Sequence, residues 1–221
     1  MAALGIDEDR PPDTGRYFGG GMEQFHHPRP VRDRRTFAPT PERAALLSDL
    51  TGTVLEIGSG DGVKAMCYPP GVTEIILVEP DPFVRETARH TCELGCPRAR
   101  VVGGDFTALP VADATCSAVV CSLALCRADT TADALAEIRR VLRPGGRLRF
   151  YEHAVPKNPV TALATSLVSP LWRRACGGCR PDRDPVAEIR RAGFTVEHLQ
   201  HLTFDRIGHV LGSAVPGPDT A

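Results

Sequence analysis

The run Val54-Leu55-Glu56-Ile57-Gly58-Ser59-Gly60-Asp61-Gly62 has the residue types and spacing most suited to chemistry. An apolar stretch passes directly into glycines at every second position. Glycine turns tightly and lets backbone approach a ligand with no Cβ in the way. A dinucleotide site normally spaces its glycines G-x-G-x-x-G to cradle a pyrophosphate. Here the spacing is G-x-G-x-G, and Glu56 stands two residues ahead of Gly58. An acid there repels a pyrophosphate and suits a cationic ligand. No G-K-[ST] follows, which excludes a phosphate-binding P-loop. About twenty residues further on, a second apolar run ends in Glu79, the usual place for a carboxylate that holds ribose hydroxyls. The glycines alone also fit a tight turn with no ligand.

The eight cysteines allow several chemistries. Cys176-Gly177-Gly178-Cys179 has zinc-like spacing, but a structural zinc needs four ligands and no second C-x-x-C exists. Cys92 and Cys96 are one helical turn apart and would complete a tetrad with Cys176 and Cys179. A redox pair at 176 and 179 is the second reading. The third is small buried hydrophobes, which suits Cys116, Cys121 and Cys126. No resident metal is expected.

These residues must be positioned by a regular alternation of strand and helix. Residues 53–58, 74–80, 99–105 and 118–125 read as strands of nearly continuous apolar character. Residues 147–154 and 195–204 are further strand candidates. Between them, Asp81-Pro82 caps and opens a helix through His90 or beyond. Leu135, Ile138, Val141 and Leu142 mark an amphipathic helix over 129–142, stopped by Pro144-Gly145-Gly146. A further helix starts at Asp184 and ends at Gly193. Upstream, Thr40 caps a helix opened by Pro41, with Leu46, Leu47 and Leu50 on its apolar face. Solid apolar strands alternating with helices predict an α/β fold: a Rossmann-like, doubly wound, mostly parallel sheet with helices on both faces. Open sheets of this kind bind ligands at the carboxyl ends of their strands, where Gly58 and Glu79 fall.

Composition frames this reading. The 221 residues suit one domain, and 26 basic against 27 acidic side chains give a net charge of −1. That balance argues against a protein that binds the phosphate backbone of nucleic acid. Lys64 and Lys157 are the two lysines; the other basic residues are arginine, a bias that a GC-rich coding sequence explains. No run of about 18 apolar residues occurs, so no membrane insertion is expected. The N-terminus lacks the pattern of a secretory signal, and a cytoplasmic location is the expectation. Residues 1–40 are poor in apolar side chains and are predicted as a partly disordered arm. Tyr17, Phe18, Phe25 and Phe37, with His26-His27, equip that arm to fold over the body as a lid. Residues 41–210 form the predicted domain and 211–221 a flexible tail.

The segment 53–153 resembles the class I S-adenosylmethionine (SAM)-dependent methyltransferases. The run from Glu56 to Gly62 resembles the first motif of that family, and Glu79 its ribose-binding acid. Gly104-Asp105-Phe106, followed by Leu109-Pro110, resembles the adenine-binding segment. Arg143-Pro144-Gly145-Gly146 resembles the stretch before the fifth strand. The resemblance implies SAM as cofactor, S-adenosylhomocysteine as product and a small-molecule acceptor; it says nothing of oligomeric state. It also implies roles. Gly58, Ser59 and Gly60 pack against the methionine part, and Glu56 orients its ammonium end. Glu79, with Pro80 beside it, holds the ribose; Asp105 and the Phe106 amide hold the adenine; Ser122 and Leu123 face the sulfonium.

A finer resemblance connects the chain to the methyltransferase-like thiol S-methyltransferase group, whose bacterial relatives serve secondary metabolism. It rests on Val120 to Cys126, Leu142 to Gly146, Tyr151-Glu152-His153, Tyr68-Pro69-Pro70-Gly71, and Leu171-Trp172 through Cys179. The mammalian members carry a hydrophobic N-terminal anchor, and no counterpart of it is expected here. A thiol with an ordinary pKa of about 8.5 already supplies some thiolate near neutrality, and a neutral histidine raises that fraction. His153, after the fifth strand, is the first candidate base; a histidine bonded to a backbone carbonyl is its structural alternative. His26 and His27 are the second candidates. O-, N- or C-methylation of a quinone-like metabolite, arsenite methylation, and SAM binding without turnover are the competing readings.

Overall fold

The computed structural model describes residues 41–156, 158–175, 178–204 and 207–218. Seven strands form one sheet: β1 (Gly52–Ile57), β2 (Val72–Val78), β3 (Ala99–Val102), β4 (Cys116–Ser122), β5 (Leu142–His153), β6 (Phe194–Phe204) and β7 (Ile207–Pro216). Their order is β3-β2-β1-β4-β5-β7-β6. The first five run parallel, while β7 lies antiparallel to β5 and to β6. The chain reverses direction across the sheet between β1 and β4, which sets the switch point beside the Gly58 loop.

Among the described residues five α-helices accompany the sheet: α1 (Pro41–Leu47), α2 (Pro82–Gly95), α3 (Thr131–Val141), α4 (Pro159–Ala175) and α5 (Pro185–Arg191). Asp81 starts α2 by accepting the Phe83 and Val84 amides, and Pro82 occupies the first turn, where a missing N–H costs nothing. Asp184 does the same for α5 through the Ala187 amide. Alternate residues of each strand serve opposite faces. Leu55, Ile57, Val119, Cys121, Leu148 and Phe150 pack with α3 and α5. Val54, Ile75, Leu77, Ala118 and Val120 pack with Leu46 and Leu47 of α1, Cys92 of α2 and Tyr68.

Several expectations are corrected. Strand β5 begins at Leu142, and Cys116 pairs with Leu142 before the register shifts to Ala118 with Arg147. The Pro144-Gly145-Gly146 turn is therefore a bulged entry into the strand rather than a loop ahead of it. Residues 211–216, expected as tail, complete β7 and lie between β5 and β6. Gly212 makes that possible: a Cβ there would meet Phe150 Cζ and His198 O at 2.5 Å. Helix α4 leaves little sign in the sequence, because it opens on Pro159 and holds Pro170; Val160, Leu163, Leu167 and Leu171 on it are exposed. No helix among the described residues is long and apolar enough to cross a membrane.

Candidate active site

Four chain segments meet at the carboxyl edge of the parallel strands. Strand β1 delivers Glu56, Gly58, Ser59 and Gly60; β2 delivers Glu79 and Pro80; Asp105 and Phe106 follow β3; Ser122 and Leu123 end β4. All ten residues expected to bind cofactor lie at, or within a few residues of, the carboxyl ends of β1 to β4. Glu79 is buried, and its carboxylate accepts the Gly60 amide at 3.0 Å and the Asp81 amide at 3.2 Å. Arg85 secures the same corner by donating to the Glu79 and Pro80 carbonyls.

Gly58 adopts φ 67°, and a Cβ on it would stand 3.2 Å from Ala124 Cβ and 3.5 Å from Phe106 Cζ. The first loop thus packs directly under the segments that follow β3 and β4. Glu56 is fully buried; its carboxylate accepts the Tyr68 hydroxyl at 2.8 Å and lies 3.8 Å from the Lys64 ammonium. Asp105 Oδ1 accepts the Thr107 amide and hydroxyl, which hold its carboxyl below the ordinary range. Leu123 has φ 57°, an outlier for a leucine, and its amide donates to Tyr151 O at 2.8 Å. Strained backbone of this kind clusters at functional sites.

Glu152 holds the Leu123 turn from beneath. It is wholly buried on β5, and its carboxylate accepts the amides of Ala124 and Leu125 at 2.9 Å and of Cys126 at 3.4 Å. Burial raises its pKa against the lowering effect of those amides. The sequence alone assigns Glu152 no task, because its partners are backbone groups.

His153 is buried at the end of β5, and its Nδ1 faces Cys179 Sγ at 3.3 Å. Cys179 Sγ in turn lies 3.4 Å from Cys126 Sγ. The proton of Cys126, shared with Cys179, and the His153 imidazolium draw the Cys179 thiol down to about 4, against the effect of burial. Cys126 is pushed up, first by that shared proton and then by burial. Burial alone would lower the His153 pKa, but the hydrogen bond to Cys179 and the charges of Cys179 and Glu152 raise it. The His209 ring stacks on Tyr151 and tilts against His153 at 5.0 Å. His153 and Trp172 also border a cavity of about 310 Å³, lined further by Ala154, Val168 and Ile207.

Cys126 is thus more than the buried hydrophobe expected, whereas Cys116 and Cys121 are fully buried core residues with pKa values raised by burial. The cysteine tetrad does not form. Cys92 and Cys96 pack on the α2 side, with Cys96 Sγ near Ala65 O, while Cys179 joins Cys126 and Trp172. Cys176, His26 and His27 lie outside the described residues, so neither the 176/179 pair nor the arm enters this geometry.

Residues 55–150 match the family model described as a methyltransferase domain. Rat thiol S-methyltransferase TMT1B is 31% identical over 184 residues, which cover 76% of this chain and 75% of the relative. The ubiquinone/menaquinone biosynthesis C-methyltransferase UbiE of Dinoroseobacter shibae is 29% identical over 184 residues, 74% of this chain and 72% of that one. The crystal structure of YcgJ from Bacillus subtilis superimposes with a TM-score of 0.67 at 18% identity, covering 80% of this chain and 98% of that one.

The chain belongs to the class I SAM-dependent methyltransferases. Its cofactor is SAM, and the residues present fit it. Ser59 Oγ is buried in the glycine loop with no hydrogen-bond partner among the described residues, a donor and acceptor left for a ligand. Gly58 keeps the loop clear on the side where Phe106 and Ala124 approach. The acids at Glu56 and Glu79 suit a cation and a diol rather than a pyrophosphate.

Proposed function

We propose that this methyltransferase moves the methyl group of SAM to the sulfur of a small-molecule thiol. The observation that supports this most is the similarity to thiol S-methyltransferase TMT1B, which extends over three quarters of both chains. A match of that length must include the end of β5, beyond residue 150 where the match to the methyltransferase domain stops. SAM supplies an electrophilic methyl group on a sulfonium that leaves as a neutral thioether.

The protein's share is placement. Gly58, Ser59 and Gly60 seat the methionine part and Glu56 sits on the side of its ammonium group. Glu79, with Pro80, takes the ribose hydroxyls; Asp105 and the Phe106 amide take the adenine. Ser122 and Leu123 set the backbone beside the sulfonium. The cavity bordered by His153 and Trp172 receives the acceptor, and its apolar lining keeps water from competing. Holding the sulfur in line, about 3 Å from the methyl carbon, supplies most of the rate. His153 is the residue placed to receive the thiol proton.

C-methylation of a quinone-like acceptor is the second reading, supported by the similarity to UbiE. Mass spectrometric analysis of products from SAM with a panel of thiols, phenols, quinols and amines separates the readings. Methyl thioethers are expected. Products from quinols or phenols alone would overturn the thiol assignment, and SAM binding with no product from any acceptor would leave a binding protein.

A further inference from the structure

Cys126, His153 and Cys179 bring two thiols and one imidazole together, with their donor atoms all within 4.8 Å of one another. They come from three separate elements: the turn after β4, the last residue of β5 and the loop after α4. No carboxylate or carbonyl oxygen is among the donors, which disfavours calcium and magnesium and selects a thiophilic cation. We infer that these three residues form a Zn²⁺ site with an open fourth position, and that this position accepts the thiolate of a small-molecule ligand.

The distances fit. Zinc–sulfur bonds of about 2.3 Å and a zinc–nitrogen bond of about 2.0 Å, set tetrahedrally, place two sulfurs about 3.8 Å apart and sulfur from nitrogen about 3.6 Å. Two edges of the cluster are 3.4 Å and 3.3 Å, and all its donors lie within 4.8 Å of one another, so modest side-chain shifts admit the ion. The donors are also held in place. The Arg180 amide donates to Cys126 O at 3.0 Å, which ties the Cys179 segment to the β4 turn. Glu152 accepts the Cys126 amide. Arg183 bonds the Ala128 and Asp129 carbonyls and the Thr131 hydroxyl. Such outer contacts orient metal ligands and keep them in register.

Among the described residues the donors number three and leave a fourth position open, the pattern of a catalytic rather than a structural zinc. His153 is both a donor and a wall of the 310 Å³ cavity, so the open position adjoins the acceptor space. A thiol that coordinates there gives up its proton to solvent and is held as thiolate. With the ion bound, His153 serves as its ligand and the ion lowers the thiol pKa, so the role of proton acceptor given to His153 above belongs to the metal-free protein; this part of the inference rests on the thiol reading above.

Co²⁺ titration of the full-length chain under reducing conditions tests the site without turnover. One Co²⁺ per chain is expected, with a thiolate-to-cobalt charge-transfer band, displaced stoichiometrically by Zn²⁺. Cys126→Ser and Cys179→Ser should each weaken binding more than tenfold, while Cys67→Ser should not; retained SAM binding shows that the variants fold. Added 2-mercaptoethanol should then intensify the band as a third thiolate joins. Absence of Co²⁺ uptake, uptake that survives both serine variants, or a Cys126–Cys179 disulfide formed in its place overturns the site. A band unchanged by added thiol overturns the open position. Neither result depends on methyl transfer, so failure here and failure of the thiol assignment are separable.

Discussion

Gly58 links three parts of the cofactor site at once. Its φ of 67° strains any side chain, and the 3.2 Å approach of Ala124 crowds one. Gly58→Ala should cost about 1–2 kcal/mol of stability through the left-handed backbone alone. SAM affinity should fall about tenfold or more, as expected for a displacement worth 1.4 kcal/mol; calorimetric titration with SAM and thermal melts read the two effects. This residue was legible in the sequence because its spacing and its place after an apolar strand have a direct backbone meaning. Glu152 and Cys179 were not, since their partners come from turns that only the folded chain brings near. His153 lies between these cases: its position at the sheet edge was expected, but its Cys179 partner was not. His153→Ala should lower kcat by at least about tenfold while leaving the SAM dissociation constant within about twofold, in the range for loss of a group that moves or orients a proton. Unchanged turnover from neutral to alkaline pH would remove His153 from the mechanism.

At the scale of elements, α3 holds the segment that follows Asp105. Arg140 donates to the carbonyls of Leu109 and Val111 and to Asp113, while Glu137 accepts the Leu109 amide and pairs with Arg140. The Arg140 hydrogen bond, ahead of the Leu109 amide, holds the Glu137 pKa below its ordinary value. A carboxylate depressed in the folded state adds stability above its unfolded pKa of about 4.3 and loses it as pH falls through the lower folded value. The urea midpoint should therefore drop between neutral pH and about pH 3, and Arg140→Ala should remove part of that drop. The same variant should cost about 2 kcal/mol at neutral pH and weaken SAM binding, because charged hydrogen bonds to the loop are lost. Helix α3 was readable from its 3.6-residue apolar period. Its clamp on the 109–113 loop was not, because arginine-to-carbonyl bonds leave no pattern in a sequence.

Across the whole molecule, the parallel half of the sheet follows from solid apolar strands alternating with helices. The antiparallel half was only partly visible. Residues 211–218 hold two glycines and two prolines, a composition that suggests a tail, yet 211–216 form most of the β7 strand paired with β5. A glycine within a strand marks close approach of a neighbour, and Gly212 leaves room for the Phe150 ring of β5. Truncation after Val210 should abolish the cooperative thermal transition, whereas truncation after Pro218 should leave the melting temperature within about 2 °C, the shift expected for less than about half a kcal/mol. Circular dichroism melts distinguish the two. Gly212→Ala should behave as a mild version of the first truncation.

The central claim is that this fold delivers the SAM methyl group to sulfur. The most direct measurement compares kcat/KM for an aryl thiol and for the phenol of the same ring, under identical SAM concentration, with the methylated product identified by mass. An S-methyl product is expected, with at least about a hundredfold preference for the thiol, a difference of about 2.7 kcal/mol in transition-state binding. Equal rates for the pair, or methylation of oxygen or carbon without a thioether, would contradict it.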